Sequence, residues 1–261
     1  MFRNILAGTD GSDTATLAVH HAVDLAERLG AEVTVLTVHR VEGSNEDGTT
    51  APPDAVIAGA LLRDVESAFG TRVRLRTRAA EGNPSEILLE VAESGRHDLV
   101  VVGNRGISGE ALLQPSSVPG RVSRRAPAAV LVVDTVARRA PGYRRILVAT
   151  NGSATAVKAE DTAVELARTL DAELELAAAG SSEREAERFA EEAKGRRPLF
   201  STHALRGEPS EALSKLAESG RYDLLVLGNK GMTGLRRSLR SVPARVLRRA
   251  PTNVLIVHTT G

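Results

Sequence analysis

The chain states much of its sequence twice. Residues Arg3-Asn-Ile-Leu-Ala-Gly-Thr-Asp-Gly-Ser12 return as Arg144-Arg-Ile-Leu-Val-Ala-Thr-Asn-Gly-Ser153. Asn83-Pro-Ser-Glu86 returns as Glu208-Pro-Ser-Glu211, and Ala92-Glu-Ser-Gly-Arg-His-Asp-Leu99 returns as Ala217-Glu-Ser-Gly-Arg-Tyr-Asp-Leu224. Gly103-Asn-Arg-Gly-Ile-Ser-Gly109 returns as Gly228-Asn-Lys-Gly-Met-Thr-Gly234. The offset is far longer than the ~20–50 residues of a solenoid repeat, so each copy is the size of a domain. What the copies share reports the fold or a common chemistry. Each mismatch marks a place where their roles diverge.

At 261 residues the chain has room for two domains, here 1–135 and 143–261 joined by a linker over Thr135–Gly142. Hydrophobic residues make up 42% and aromatics only 2%, with no Trp, so the core must be built from Val, Leu, Ile and Ala. Buried parallel sheets have that composition. The shortage of aromatics argues against stacking of single-stranded bases, and a net charge of +1 gives no general attraction to polyanions. Nucleic acid is therefore not an expected partner. The absence of Cys excludes disulfides, thiol catalysis and Cys-ligated metals. No apolar run reaches the ~18 residues of a membrane span, and the first residues lead straight into an apolar strand without a signal-peptide pattern. The expectation is a cytoplasmic protein without membrane contact.

Periodicity predicts strands alternating with helices. In the first half the predicted strands are Asn4–Thr9, Glu32–Val38, Val73–Thr77, Asp98–Gly103 and Ala129–Val133. Between them, apolar residues at 3.6-residue spacing predict helices over Thr14–Leu29, Ala55–Phe69 and Val118–Arg125, and one from Pro84 to near Gly95. Arg40–Pro53 reads as a surface loop. The second half repeats the order, with predicted strands at Ile146–Thr150, Glu173–Ala178, Phe200–Leu205, Asp223–Gly228 and Asn253–His258. Its predicted helices are Thr155–Leu170, Ser182–Gly195, Ser210–Ser219 and Val242–Arg249. Such alternation gives right-handed crossovers and a doubly wound parallel sheet covered on both faces. Such sheets bind ligands beyond the strand carboxyl ends, where the strand order reverses.

The chemistry-bearing residues stand at those ends. The first strand closes on Gly8-Thr9-Asp10-Gly11-Ser12. The fourth closes on Gly103-Asn104-Arg105-Gly106, and Ser116-Ser117-Val118 open the next helix. A glycine pair lets backbone N–H groups converge on an anion. A Ser at a helix N-terminus adds its hydroxyl to exposed N–H groups and a positive dipole end. Together they suit a di- or triphosphate, with Asp10 placed to accept from ribose hydroxyls and Val38 to pack on a base. Each residue also has a plain structural role. Asp10 makes an Asx turn, Gly103 and Gly106 make a strand-to-loop turn, and Ser117 and Ser241 cap helices. The pattern leaves both roles open.

With these motifs the chain resembles the universal stress protein family, whose motif is Gly-x2-Gly-x9-Gly-Ser/Thr with an Asp ending the first strand. The first half matches at Asp10, Gly103, Gly106 and Ser117, with Ser116 in place of the last Gly; the second matches at Gly228, Gly231 and Ser241. The resemblance runs almost end to end through both halves, including the Gly-x-Pro-x-Glu turn before the third helix. It implies two tandem five-stranded, doubly wound parallel sheets, Rossmann-like and similar to the adenine nucleotide alpha hydrolases. It implies that the last strands pair the domains into an intramolecular pseudo-dimer, with a homodimer left open. It implies an adenine nucleotide such as ATP in the crevice of some members, with Mg²⁺ undecided, and it does not imply an enzyme.

The departures divide the halves. A non-Gly residue at Ser116 would cost ~1–2 kcal/mol if that position needs positive φ. In the second half Thr150 is followed by Asn151, which removes the carboxylate. Aligning Ser241-Val242-Pro243 with Ser117-Val118-Pro119 leaves the loop one residue shorter, and Arg240 stands where the family places Gly. That Arg either pairs with a phosphate or fills the pocket. Half one is therefore the expected nucleotide site, and half two is weakened or altered. The six histidines are scattered without metal-ligand spacing, and no P-loop or nucleophile elbow is present. The leading function is a non-enzymatic, nucleotide-responsive stress or regulatory protein that offers a surface to an unidentified protein partner. The alternative is an interaction module with vestigial sites. A slow ATPase ranks third, because no general base stands out beyond Asp10.

Overall fold

The computed structural model describes residues 1–39, 54–104, 116–136, 140–180, 182–196, 201–229 and 241–258. Half one runs β1 (Asn4–Thr9), α1 (Asp13–Leu29), β2 (Glu32–His39), α2 (Asp54–Phe69), β3 (Arg74–Glu81), α3 (Pro84–Ser94), β4 (Leu99–Gly103), α4 (Val118–Arg125) and β5 (Ala129–Val133). Half two runs β6 (Arg145–Thr150), α5 (Ala154–Leu170), β7 (Glu173–Ala178), α6 (Glu183–Arg196), β8 (Ser201–Ala204), α7 (Pro209–Ser219), β9 (Leu224–Asn229), α8 (Val242–Arg249) and β10 (Asn253–His258). The element order matches the sequence reading.

The ten strands form a single sheet in the order β3-β2-β1-β4-β5-β10-β9-β6-β7-β8. Neighbours within each half are parallel, as β1 with β2 and β4, and β6 with β7 and β9. The halves meet at β5 and β10, which pair antiparallel with Val130, Leu131 and Val132 opposite Ile256, Leu255 and Val254. Strand carboxyl ends of half one therefore lie at one edge of the sheet, and those of half two at the other. Helices α1, α2, α5 and α6 cover one face over a core that runs through both halves. On the other face α3 and α4 cover a core in half one, and α7 and α8 cover one in half two. Leu247 packs against both of these smaller cores.

Local chemistry explains where the elements start and stop. Ser12 and Ser153 cap α1 and α5, each accepting from the N–H three residues on. Gly30 ends α1 in the left-handed region at φ 64°, and Asp171 takes the matching place after α5 at φ 52°. Asn83 and Glu208 cap helices that open with Pro. The repeated Ser-Gly-Arg-x-Asp motif is a structural clasp. Its Asp98 carboxylate accepts from Arg3 N at 2.7 Å and Asn4 N at 3.0 Å. Asp223 does the same for Arg144 N at 2.9 Å and Arg145 N at 3.0 Å. Each clasp secures the entry to its half's first strand.

The third strand of half one is longer than the alternation over Val73–Thr77 predicts. It runs to Glu81 because β2 pairs with it residue for residue, from Glu32 with Arg74 to His39 with Glu81. Strand β3 is also an edge, and Arg74, Arg76 and Arg78 stand exposed along it. Charges on an edge discourage pairing with another chain. In half two the third strand is Ser201–Ala204, and Phe200 lies outside the described residues.

The corresponding face near β8 carries a polar cluster instead. Glu175 receives Arg145 Nη2 at 2.9 Å and lies 2.6 Å from His203 Nε2. Arg145 also sits 4.9 Å over the Tyr222 ring. Burial alone would raise the Glu175 pKa, but hydrogen bonds from His203, Tyr222 and Arg145 outweigh it and hold the carboxyl below its usual range. A depressed carboxyl pKa stabilises the fold above the unfolded value and loses that contribution as pH falls through the folded value. Stability measured by urea unfolding between about pH 6 and pH 3 is expected to fall less steeply in Glu175→Gln than in wild type. Identical slopes would remove Glu175 from the acid sensitivity.

Candidate functional site

In half one the strand order reverses between β1 and β4. Their pairing ends at Ala7 with Val101, so Thr9 and Gly103 close the two strands beyond the last paired residues. Asp10 is exposed just past β1, at the carboxyl edge of the sheet. Its Oδ1 accepts from Ser12 N at 3.1 Å and from Ser12 Oγ at 2.6 Å. This is the Asx turn that leads into α1. Thr9 Oγ1 accepts from Gly11 N at 3.2 Å, with Gly11 at φ 80°. Ser117 caps α4, accepting from Gly120 N at 3.2 Å, and so aims the amino end of α4 along the same edge. Ser116 is not among the described non-glycine residues with positive φ, so the strain expected there does not arise.

Three expected residues have packing roles. A Cβ on Gly8 would lie 3.2 Å from Leu88 of α3. Half two has Ala149 at that position, so this glycine is no signature of a ligand. Val38 is half-buried against the core under α3. The Asn104 carboxamide donates to Asp134 Oδ1 at 3.1 Å and accepts from Thr135 N at 3.1 Å and Thr135 Oγ1 at 2.6 Å. It ties the end of β4 to the residues that follow β5. Val118 packs on the same core from the first turn of α4.

Half two repeats the frame with different contents. Asn151 keeps the turn, accepting from Ser153 N at 3.2 Å, but brings no charge. Thr150 accepts from Gly152 N at 3.3 Å and donates to Glu160 Oε1 at 2.6 Å. Glu160 is fully buried on α5 and receives Arg196 Nη2 at 3.1 and 3.2 Å. Half one has Val19 at the position of Glu160. Phe189 of α6 closes on Gly152, where an added Cβ would fall 2.8 Å from the ring. Gly228 is equally confined, since a Cβ there would stand 2.4 Å from the Thr155 carbonyl oxygen. Ser241 caps α8 by accepting from Ala244 N at 3.3 Å, and Val242 packs on the core beneath. Gly106, Gly231 and Arg240 lie outside the described residues.

The sequence model of the Universal stress protein family matches residues 1–134 and 175–258. The chain belongs to that family. A universal stress protein of Mycobacterium tuberculosis strain H37Rv is 35% identical over 144 residues, covering 45% of this chain and 98% of its own length. A universal stress protein from Archaeoglobus fulgidus DSM 4304 shares the whole fold, with a TM-score of 0.78 at 19% identity, covering 98% of this chain and 96% of that one. Another universal stress protein, solved in complex with cAMP, is 29% identical and covers 51% of this chain and 98% of its own, with a TM-score of 0.44.

The two strand-order reversals of this universal stress protein thus carry different residues. The sequence reading missed Glu160, Arg196 and Phe189. A signal for Glu160 was available, because it falls on the apolar stripe of α5 among Ala156, Ala159, Ala163 and Leu166. Among the described residues no group of three or more His, Asp or Glu is placed to hold a metal. The Gly228 contact gives a direct check. Gly228→Ala is expected to cost about 1–3 kcal/mol and lower the melting midpoint by several degrees. Gly195→Ala, whose Cβ meets nothing within 4 Å, is expected to leave it unchanged or raise it. Equal midpoints for the two variants would contradict the confinement of Gly228.

Proposed function

We propose that this universal stress protein is a non-enzymatic regulator that binds an adenine nucleotide such as ATP in the crevice of half one. The supporting observation is the asymmetry at the strand-order reversal. Half one keeps an exposed carboxylate, Asp10, just past the end of β1. Half two has the neutral Asn151 there, with Phe189 against Gly152 and the Glu160–Arg196 pair beneath Thr150. In this reading Asp10 accepts from the ribose hydroxyls while its turn with Ser12 fixes its orientation. The phosphates meet the amino end of α4, where the helix dipole favours negative charge. Ordering of that helix start changes a surface presented to a protein partner.

Half two supports a second reading for its own crevice, as a nucleotide-free scaffold. Beneath its first strand end, Thr150 and Arg196 both bond the buried Glu160 carboxylate. Thermal unfolding of the full chain with ATP, with and without Mg²⁺, tests both readings. Ligand at about 100 times its Kd should add about 2.7 kcal/mol to the stability of wild type. Asp10→Ala should weaken binding about 10-fold, and Asn151→Ala should leave it unchanged. No stabilisation of wild type would favour the scaffold reading for the whole protein. Stabilisation that Asp10→Ala retains in full would overturn the assignment to half one.

A further inference from the structure

The two outer edges of the sheet are armed differently. Strand β3 ends the sheet on the half-one side, and among the described residues β2 is its one strand neighbour. Pairing with β2 sets Arg74, Arg76 and Arg78 opposite Glu32, Thr34 and Leu36, so the three arginines share a face. Leu36 belongs to the core under α3 and α4, which identifies that face. The other face of β3 is anchored. Leu75 packs on the larger core, and Thr77 donates to Glu66 of α2. The strand is thus held in place from one side while its arginines point to the other.

The stripe has more cations than its neighbours neutralise. Arg74 and Arg76 lie 3.1 and 3.2 Å from the same carboxylate, Glu32, and keep 84% and 74% of their side-chain surface exposed. Arg78 is exposed and makes no ion pair among the described residues. The same register in half two puts Ser201 and His203 where half one has Arg76 and Arg78, and Glu175 where it has Thr34. His203 lies 2.6 Å from Glu175, so that edge carries its own countercharge.

We propose that β3 is a docking edge for an extended acidic segment of a partner protein, which adds to the sheet as a further strand. Same-face residues of a strand recur about every 6.6–6.8 Å, so acids at alternate positions of the segment meet Arg74, Arg76 and Arg78 in turn. Backbone N–H and C=O groups of the edge supply affinity, and the arginines supply register. The same charges repel the β3 of a second copy, so the edge rejects its own kind and admits an acidic strand. Strand β2 stands between this edge and β1, and docking here requires no nucleotide.

The test is fluorescence anisotropy of a labelled short peptide in which Glu alternates with Val, titrated with the full chain. Saturable binding with a Kd below about 1 mM is expected, weakening as salt is raised. Arg76→Gln combined with Arg78→Gln should weaken it about 5–10-fold. The charge-matched pair Arg168→Gln with Arg184→Gln, exposed on α5 and α6, should leave it unchanged. All four side chains are exposed, so both double variants should keep the wild-type melting midpoint. N-methylation of the peptide along one backbone edge should abolish binding, and along the other should spare it, because one edge alone faces β3. No saturable binding, equal binding by the two double variants, or indifference to both N-methyl patterns would overturn the proposal. So would a single-stranded oligonucleotide that binds through Arg76 and Arg78 where the peptide does not, because the stripe would then be a phosphate site.

Discussion

The antiparallel pairing of β5 with β10 is the contact on which the rest of the molecule depends. Each of these strands is the last of its half, and each is buried along its whole length. Alone, each would present an apolar edge with unpaired backbone groups, the arrangement most prone to aggregation. Joined, they give one ten-stranded sheet whose exposed edges are β3 and β8. The join also has specific ties. Asn253 accepts from Asp134 N at 3.0 Å, across the seam. His21 lies 2.7 Å from the Tyr143 hydroxyl, which binds the entry of half two to α1 of half one. The halves join edge to edge, and α4 and α8, on the same face of the sheet, flank the join, where Leu247 packs against both smaller cores.

Within this frame the halves spend their burial differently. Val19 in α1 contributes to the core without any electrostatic requirement. Glu160, at the same place in α5, must be matched by Thr150 and Arg196. A buried ion pair is seldom a net gain over a well-packed apolar residue, so it is weak evidence of a stability benefit. What it does is fix the end of α6 against the mouth of the second crevice. Phe189 from the same helix then occupies the space over Gly152. The family fold is preserved, while half two has Asn151 in place of the acid and Phe189 packed over Gly152.

The repeat made the architecture legible. Val-rich runs, Pro at helix starts and Ser caps all have local causes, and each appears at the expected place in both copies. The clasp formed by Asp98 and Asp223 was visible as a repeated motif, but its role needed strand geometry, since the bonds span 95 and 79 residues to Arg3 and Arg144. The length of β3 was not legible, because its extension to Glu81 is imposed by β2 rather than by its own alternation. Part of the candidate site was legible as position and not as partner. Asp10 and Ser117 stand at the predicted edge, yet Gly8 and Asn104 turned out to serve packing and loop anchoring. Those roles depend on Leu88, Asp134 and Thr135, none of which is adjacent to them in the sequence.

Helix α4 ties the crevice of half one to the seam. Its eight residues span only about 12 Å. Ser117 at its start faces the crevice edge, and Ser123, six positions on, holds His258 of half two. So short a helix behaves as a rod, because its backbone bonds and the buried Val122 leave little room to bend. The duplicated chain thus places the Ser117 cap of half one and the last strand of half two at two ends of a single short helix.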